Sequence, residues 1–245
     1  MSAADLPHRA AALLDRIRTR TPRVHCLMNT VAQKLVADGL SALGAIPSMT
    51  ASPDEVEAFV AKADALTVNL GTLDARRREA VGLAVGAAAL HERPWVLDPA
   101  HCDYSPPRAA FAAELLALRP AALRANAAEY RLLSPPDGVV AIRTGAADRI
   151  ALGRRALLVA NGHKLMAKVT GTGCLGGAVA AAFLAVADDA FEASTAAMLA
   201  LGVAAEIAAA GARGPGSFEP ALLDALFLLG AHDIVERGKV SDEQG

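Results

Sequence analysis

The sequence predicts an α/β fold, a mostly parallel central sheet flanked by helices on both faces. Short apolar segments of strand length alternate with segments of helical length and periodicity, which is the pattern of crossover-connected parallel strands. Polar residues and glycines gather just past the ends of the apolar segments, where open α/β sheets bind ligands. No repeat, low-complexity tract or linker interrupts the alternation, so the 245 residues read as a single domain, 1–245.

Taken in order, Leu6, Ala10, Leu13, Leu14 and Ile17 recur at helical spacing over residues 5–20. Pro22–Leu27 is a short strand ended by Asn29-Thr30. A helix is expected from about Val31 to Leu43, then a strand and turn over Gly44–Met49. Ser52-Pro53-Asp54-Glu55 reads as a capping box that starts the next helix. Ala65–Leu70 is a buried strand ending at Asn69-Leu70-Gly71-Thr72, and Thr72 and Asp74 begin a helix reaching His91. Pro94–Leu97 is a strand that ends at Asp98-Pro99. Pro106–Leu118 is helical, and Pro120–Leu123 leads to Arg124-Ala125-Asn126. Val139–Ile142 is a strand closed by Arg143-Thr144-Gly145. Ala156–Ala160 and Leu165–Val169 read as a final hairpin-like pair. Three helices follow: Leu175–Ala187, Asp189–Gly211 with Asp189 and Glu192 as a capping box, and Ser217–Glu236.

Composition narrows the partners. A net charge of −2 carries no footprint for nucleic acid or an anionic membrane. Three cysteines without framework spacing suit a reducing cytosol. Asp5, Arg9, Asp15 and Arg16 break up the N-terminal apolar residues, which excludes a signal peptide. The apolar run beyond Cys174 stops at Asp188, short of the roughly 20 residues a membrane span needs. The expectation is a soluble cytoplasmic protein with small-molecule ligands, no nucleic acid and no membrane.

The stretch Lys168-Val169-Thr170-Gly171-Thr172-Gly173-Cys174 opens an Ala- and Gly-rich helix. Free backbone N–H groups and the positive end of the helix dipole favour an anion there. Cys174 in the first turn is expected to have a lowered thiol pKa; the alternative is a small buried hydrophobe. Gly171 to Gly176 formally matches G-x-G-x-x-G. No strand follows it and no Gly-Lys-Ser/Thr completes it, so neither a dinucleotide fingerprint nor a P-loop is supported. His25 and Cys26 are strand neighbours on opposite faces and cannot share an ion. The chain lacks C-x-x-C spacing, which disfavours structural zinc. Asp98 and Glu129 are hard oxygen donors suited to Mg²⁺ beside phosphates; for either, the alternative is a helix cap or a surface carboxylate. Arg124 at a strand end needs a partner for its charge, and a phosphate suits it. Asn29, Asn69, Gly71, Asp98, Arg124, Asn126, Thr144 and Gly145 all fall just past expected strand ends, so they and the Gly171 loop can line one crevice.

The series Val24–Asn29, Gly44–Met49, Ala63–Leu66 with Asn69–Leu73, Leu97-Asp98-Pro99, Leu123–Glu129 and Thr170–Cys174 resembles the hydroxyethylthiazole kinase family, over nearly the whole chain and in the family's order. The resemblance implies a ribokinase-like fold and ATP-dependent phosphorylation, with Mg²⁺, of the primary hydroxyl of 4-methyl-5-(2-hydroxyethyl)thiazole in thiamine salvage. It implies that Met49 and Gly171 touch the thiazole with Asn29 nearby, and that Arg124, Thr144, Thr170 and Gly173 serve ATP. Asp98 and Glu129 would hold the metal, and Cys174 would sit at the substrate hydroxyl. A homo-oligomer, a trimer with active sites between subunits, is also implied. Three departures stand out. Ala100-His101-Cys102-Asp103-Tyr104-Ser105 replaces a glycine-rich run, Ala125 and Ala128 replace a Gly and a Ser around Asn126, and residues 129–138 replace a long crossover helix. A kinase for another heterocyclic alcohol, a non-catalytic binding homologue and an NAD(P)-binding protein are the competing readings.

Overall fold

Alternation in the sequence becomes alternation in the structure, a computed structural model that describes residues 2–243. Helix α1 (Leu6–Arg20) buries the apolar stripe Leu6, Ala10, Leu13, Leu14 and Ile17, as its spacing requires. Strand β1 (Arg23–Leu27) leads into α2 (Gln33–Leu43), which stops at Gly44 with φ 106°, a left-handed position where glycine carries no Cβ penalty. Then come β2 (Ile46–Ser48), α3 (Val56–Ala61), β3 (Ala65–Asn69), α4 (Ala75–Leu90), β4 (Trp95–Asp98) and α5 (Pro106–Ala117). The crossover after β5 (Ala122–Asn126) holds only the one-turn helix α6 (Ala127–Tyr130) before β6 (Val140–Thr144). An antiparallel pair, β7 (Asp148–Leu152) and β8 (Arg155–Val159), precedes α7 (Thr172–Leu184), α8 (Ala190–Gly211), α9 (Pro215–Leu228), α10 (Ala231–Arg237) and β9 (Val240–Asp242).

The strands form one sheet in the order β2-β1-β3-β4-β5-β6-β7-β8-β9. It is parallel from β2 through β6 and antiparallel from β6 through β9. Every residue of β3 and β4 is buried, which is what strands covered on both faces require. One apolar cluster gathers α1, α2 and α7–α10; the other gathers α3, α4 and α5. Helix α7 lies against β1, β3 and β4 and presents fully buried alanines at 178, 180, 181 and 182. Small side chains let its axis come close to the strands.

Helix α8 is long and apolar enough to cross a membrane, with a mean hydropathy of 1.6 over its most apolar window, yet 78% of that window is buried within the fold. It is a core helix.

The structure corrects several local expectations. Leu165–Val169 is no strand: Lys164–Lys168 forms a 3₁₀ turn, because the Thr172 hydroxyl, bonded to the carbonyls of Met166 and Val169, curls it onto the start of α7. The hairpin is instead β7–β8, turning at Gly153 with φ 57°. Its first strand begins with the charged pair Asp148-Arg149, which hid it. The Ser52–Glu55 box does not form. Thr50 takes the Glu55 carboxylate, and α3 begins at Val56 without a side-chain cap. Glu192 pairs with Arg9 rather than closing a box on Asp189. The last helix breaks at Leu229-Gly230, where the Gly230 N–H donates to Asp233. Strand β9 was not foreseen.

Candidate active site

The C-terminal ends of the parallel strands and the first turn of α7 enclose a cavity of about 1090 Å³. Nine of the ten residues to which the resemblance gives a role line it: Asn29, Asp98, Arg124, Glu129, Thr144, Thr170, Gly171, Gly173 and Cys174. Met49 does not. It follows β2 at the sheet edge, half-buried against the core of α2 and its neighbours.

At the floor of the cavity, Gly171 enters α7 with φ 96°. A Cβ there would lie 3.1 Å from that of Ala32, so this position is closed to side chains on two counts. Three residues on, Cys174 Sγ accepts from Asn29 Nδ2 at 3.2 Å and Asn69 Nδ2 at 3.4 Å. Its thiol is not acidic. Burial, with Asp98 adding to it, pushes the pKa up to about 11, while Asn29 and Arg124 pull the other way. The expected lowering by the helix terminus is overturned: desolvation of a half-buried sulfur beside a carboxylate wins.

Arg124 lies across the first turn of α7. A Cβ on Gly173 would come within 2.8 Å of its Nη2. The guanidinium stands 3.6 Å from Asp98 Oδ2 and 3.4 Å from the Thr144 hydroxyl. Asp98 is 2% exposed. Its Oδ1 accepts from the Ala100 N–H at 3.1 Å, while Oδ2 has no hydrogen-bond donor among the described residues. Asp148, also in the cavity wall, accepts from Gly145 N–H. Burial raises its pKa, and the Gly145 bond and Arg124 oppose that.

Glu129 is 3% exposed and braces two loops. Oε1 accepts from His101 N–H at 2.7 Å and Oε2 from Asn126 N–H at 2.8 Å. The second bond completes a capping box with Asn126, so the helix-cap reading holds in the fold. Its remaining lone pairs stay available to a cation. The loop between the two carboxylates keeps a glycine-like path without glycine: Ala100 has φ 32° and His101 φ 60°, sparsely populated for residues with a Cβ. Bonds to Asp98 and Glu129, and from Arg108 to the Ala100 carbonyl, hold it there.

Sequence reasoning passed over the opposite wall, where Asn161, His163, Met198, Leu201 and Gly202 face the cavity. One signal was available. Gly202 sits inside a helix, where glycine costs about 1 kcal/mol relative to alanine. The reason is backbone contact: a Cβ would meet the Asn161 carbonyl at 2.7 Å.

A mostly parallel sheet with arginine, carboxylates and a glycine-opened helix terminus gathered at one edge is the architecture of the ribokinase-like fold. A ribokinase-like superfamily protein from Enterococcus faecalis V583 shares the fold, with a TM-score of 0.64 at 13% identity over 87% of this chain and 89% of its own. Nearer relatives narrow the class. The sequence model described as the hydroxyethylthiazole kinase family matches residues 14–136 and 134–232. A probable hydroxyethylthiazole kinase from Agrobacterium fabrum is 53% identical over 237 residues, covering 97% of this chain and 96% of its own length. The solved structure of hydroxyethylthiazole kinase from Pyrococcus horikoshii OT3 is 34% identical, with a TM-score of 0.92 over 96% of this chain and 99% of its own. The chain belongs to the hydroxyethylthiazole kinase family.

Proposed function

We propose that this enzyme, acting as one domain over residues 1–245, transfers the γ-phosphoryl group of ATP to the primary hydroxyl of 4-methyl-5-(2-hydroxyethyl)thiazole, a step of thiamine salvage. The observation that carries the reading is the meeting of Cys174, the α7 N-terminus and Arg124 at one end of the cavity. Phosphoryl transfer asks chiefly for positioning and stabilisation of charge. The amides of Gly171–Gly173 and the helix dipole supply positive potential where charge develops on the transferring group. Arg124 and Thr144 hold the phosphates from the strand side, and Thr170 and Gly173 line their path. Gly171 and Asn29 flank the thiazole. Cys174 is a thiol at neutral pH and orients the attacking hydroxyl rather than resting as a thiolate.

Mg²⁺ suits the donor set. The buried Oδ2 of Asp98, which accepts no hydrogen bond among the described residues, and the carboxylate of Glu129 are hard oxygen donors that would hold it, and when bound it would neutralise charge on the phosphates. Met49 lies outside the cavity lining of a single chain. It reaches the thiazole in a homo-oligomer, which we read as a trimer with sites between subunits; the exposed Ile46 beside it at the β2 edge supports that arrangement. Three free cysteines favour a cytoplasmic setting. The test is ADP release from Mg·ATP with and without hydroxyethylthiazole. Thiazole-dependent ADP is expected; ADP production indifferent to the thiazole sinks the reading.

A further inference from the structure

Behind the cavity wall lie two polar residues, Asn69 and Arg77, to which the proposed reaction gives no role. Asn69, the last residue of β3, is completely buried. Its amide orientation follows from backbone donors rather than from choice. Oδ1 accepts from the Gly71 N–H at 3.0 Å and from Asn29 Nδ2 at 3.0 Å, so Nδ2 must face Cys174. Asn29 is fixed the same way: its Oδ1 accepts from the Ala32 N–H at 3.0 Å, which turns its Nδ2 to the sulfur. Two amide donors therefore converge on one Sγ, at 3.2 and 3.4 Å.

The pair is clamped from outside. A Cβ on Gly71 would lie 2.8 Å from the Asn29 Cβ and 3.0 Å from Asn69 Oδ1, so only glycine lets the turn close over both amides. Arg77, the first-turn residue of α4, is 8% exposed. It donates to the Met28 carbonyl at 2.9 Å and the Asn69 carbonyl at 3.2 Å. Among the described residues, no carboxylate pairs with it within ion-pair distance. A buried cation bonded to carbonyls alone, its Nε without a partner among the described residues, is a costly way to tie two strands. Here it ties Met28, just past β1 and one residue before Asn29, to Asn69 at the end of β3.

We propose that Asn69 is a positioning residue for the reaction: with Asn29, and held by Arg77, it points two N–H donors at Cys174 Sγ and fixes the sulfur at the attacking hydroxyl. With both donors on Sγ, the thiol hydrogen is turned away from the amides. Donors already in place stabilise the partial negative charge that Sγ carries, with no reorganisation, while Cys174 keeps its proton and the hydroxyl's own proton leaves on an oxygen of the transferred phosphoryl group. The Asn29 bond acts in that direction, against the burial that raises the thiol pKa.

The inference rests on the role given to Cys174 above, and the test separates the two. In Asn69→Leu, of similar volume, alkylation of Cys174 by iodoacetamide at pH 8, read by peptide mass spectrometry, is expected to slow about tenfold, the effect of one lost hydrogen bond to a charged group. Cys26 and Cys102 are buried and stay unlabelled while the fold is intact. In parallel, kcat falls about tenfold while KM for ATP stays within twofold. Alkylation at the wild-type rate, or faster, in the folded variant overturns the proposal, as does slowed alkylation with unchanged kcat. If Asn69→Leu does not fold, Asn29→Ala at its half-buried position carries the same two readouts. Failure of the Cys174 role itself shows separately, as wild-type kcat in Cys174→Ala.

Discussion

Gly173 illustrates how much of this site is decided by the absence of a side chain. The Arg124 guanidinium fills the place where a Cβ would stand, 2.8 to 3.2 Å away. In Gly173→Ala the arginine must leave Asp98 and Thr144, its partners at 3.6 and 3.4 Å. We expect KM for ATP to rise about tenfold, near 1.4 kcal/mol, with KM for the thiazole within twofold and the circular dichroism spectrum unchanged. A steady-state titration of each substrate decides it. Single residues were legible in the sequence where they follow a strand. Asn29, Asp98, Arg124 and Thr144 all come to the predicted edge, since a parallel strand must deliver its C-terminal residue there. What a residue does there was less legible. The pKa of Cys174 depends on burial and on Asp98, and Glu129 spends its first two bonds on loop backbone. Both are tertiary facts that local spacing does not encode.

Elements show the same division. Strands of the parallel part were readable because each is a bounded apolar run, whereas β7 starts with Asp148-Arg149 and β9 is three residues long with two exposed. Edge strand β2 is held by a buried side chain. His25 in β1 bonds Ser48 through Nδ1 at 2.8 Å and the Thr50 carbonyl through Nε2 at 3.0 Å. Nε2 must donate to that carbonyl, so Nδ1 accepts the Ser48 hydroxyl and the ring is neutral. Burial lowers its pKa to about 4, with the Thr50 bond and Glu55 opposing. A folded pKa below the unfolded value of about 6.5 means the unfolded chain binds the proton more readily. The stabilisation is complete above pH 6.5 and is lost as pH falls toward 4. The loss is of order 3 kcal/mol at pH 4. Urea melts of wild type and His25→Gln across pH 4–7 test this: the wild-type midpoint should fall more steeply, and parallel curves would remove His25 as the cause.

For the molecule as a whole, the alternation of strand and helix carried the doubly covered sheet, and the ten residues from Glu129 to Gly138 do span a crossover with a single helical turn. The closure of the far side was not legible, because it joins distant parts of the chain. Asn161, in the cavity wall, donates to the Arg237 carbonyl at 2.8 Å and accepts from the Lys239 N–H at 2.7 Å, while Gly202 presses on its backbone. Ending the chain at Arg237 removes β9 and leaves a buried acceptor unpaired, at about 1–3 kcal/mol. The truncated enzyme should melt several degrees lower and bind ATP more weakly; an unchanged melting temperature with full ATP affinity would refute the link. One more consequence lies in the loop from Asp98 to His101. Its two consecutive N–H groups are hooked to the carboxylates of Asp98 and Glu129, so β4 and the start of α6 are yoked like two pans on one beam. A displacement of either acid is transmitted to the other through a few peptide bonds. We expect a substitution that loosens one hook to slacken both.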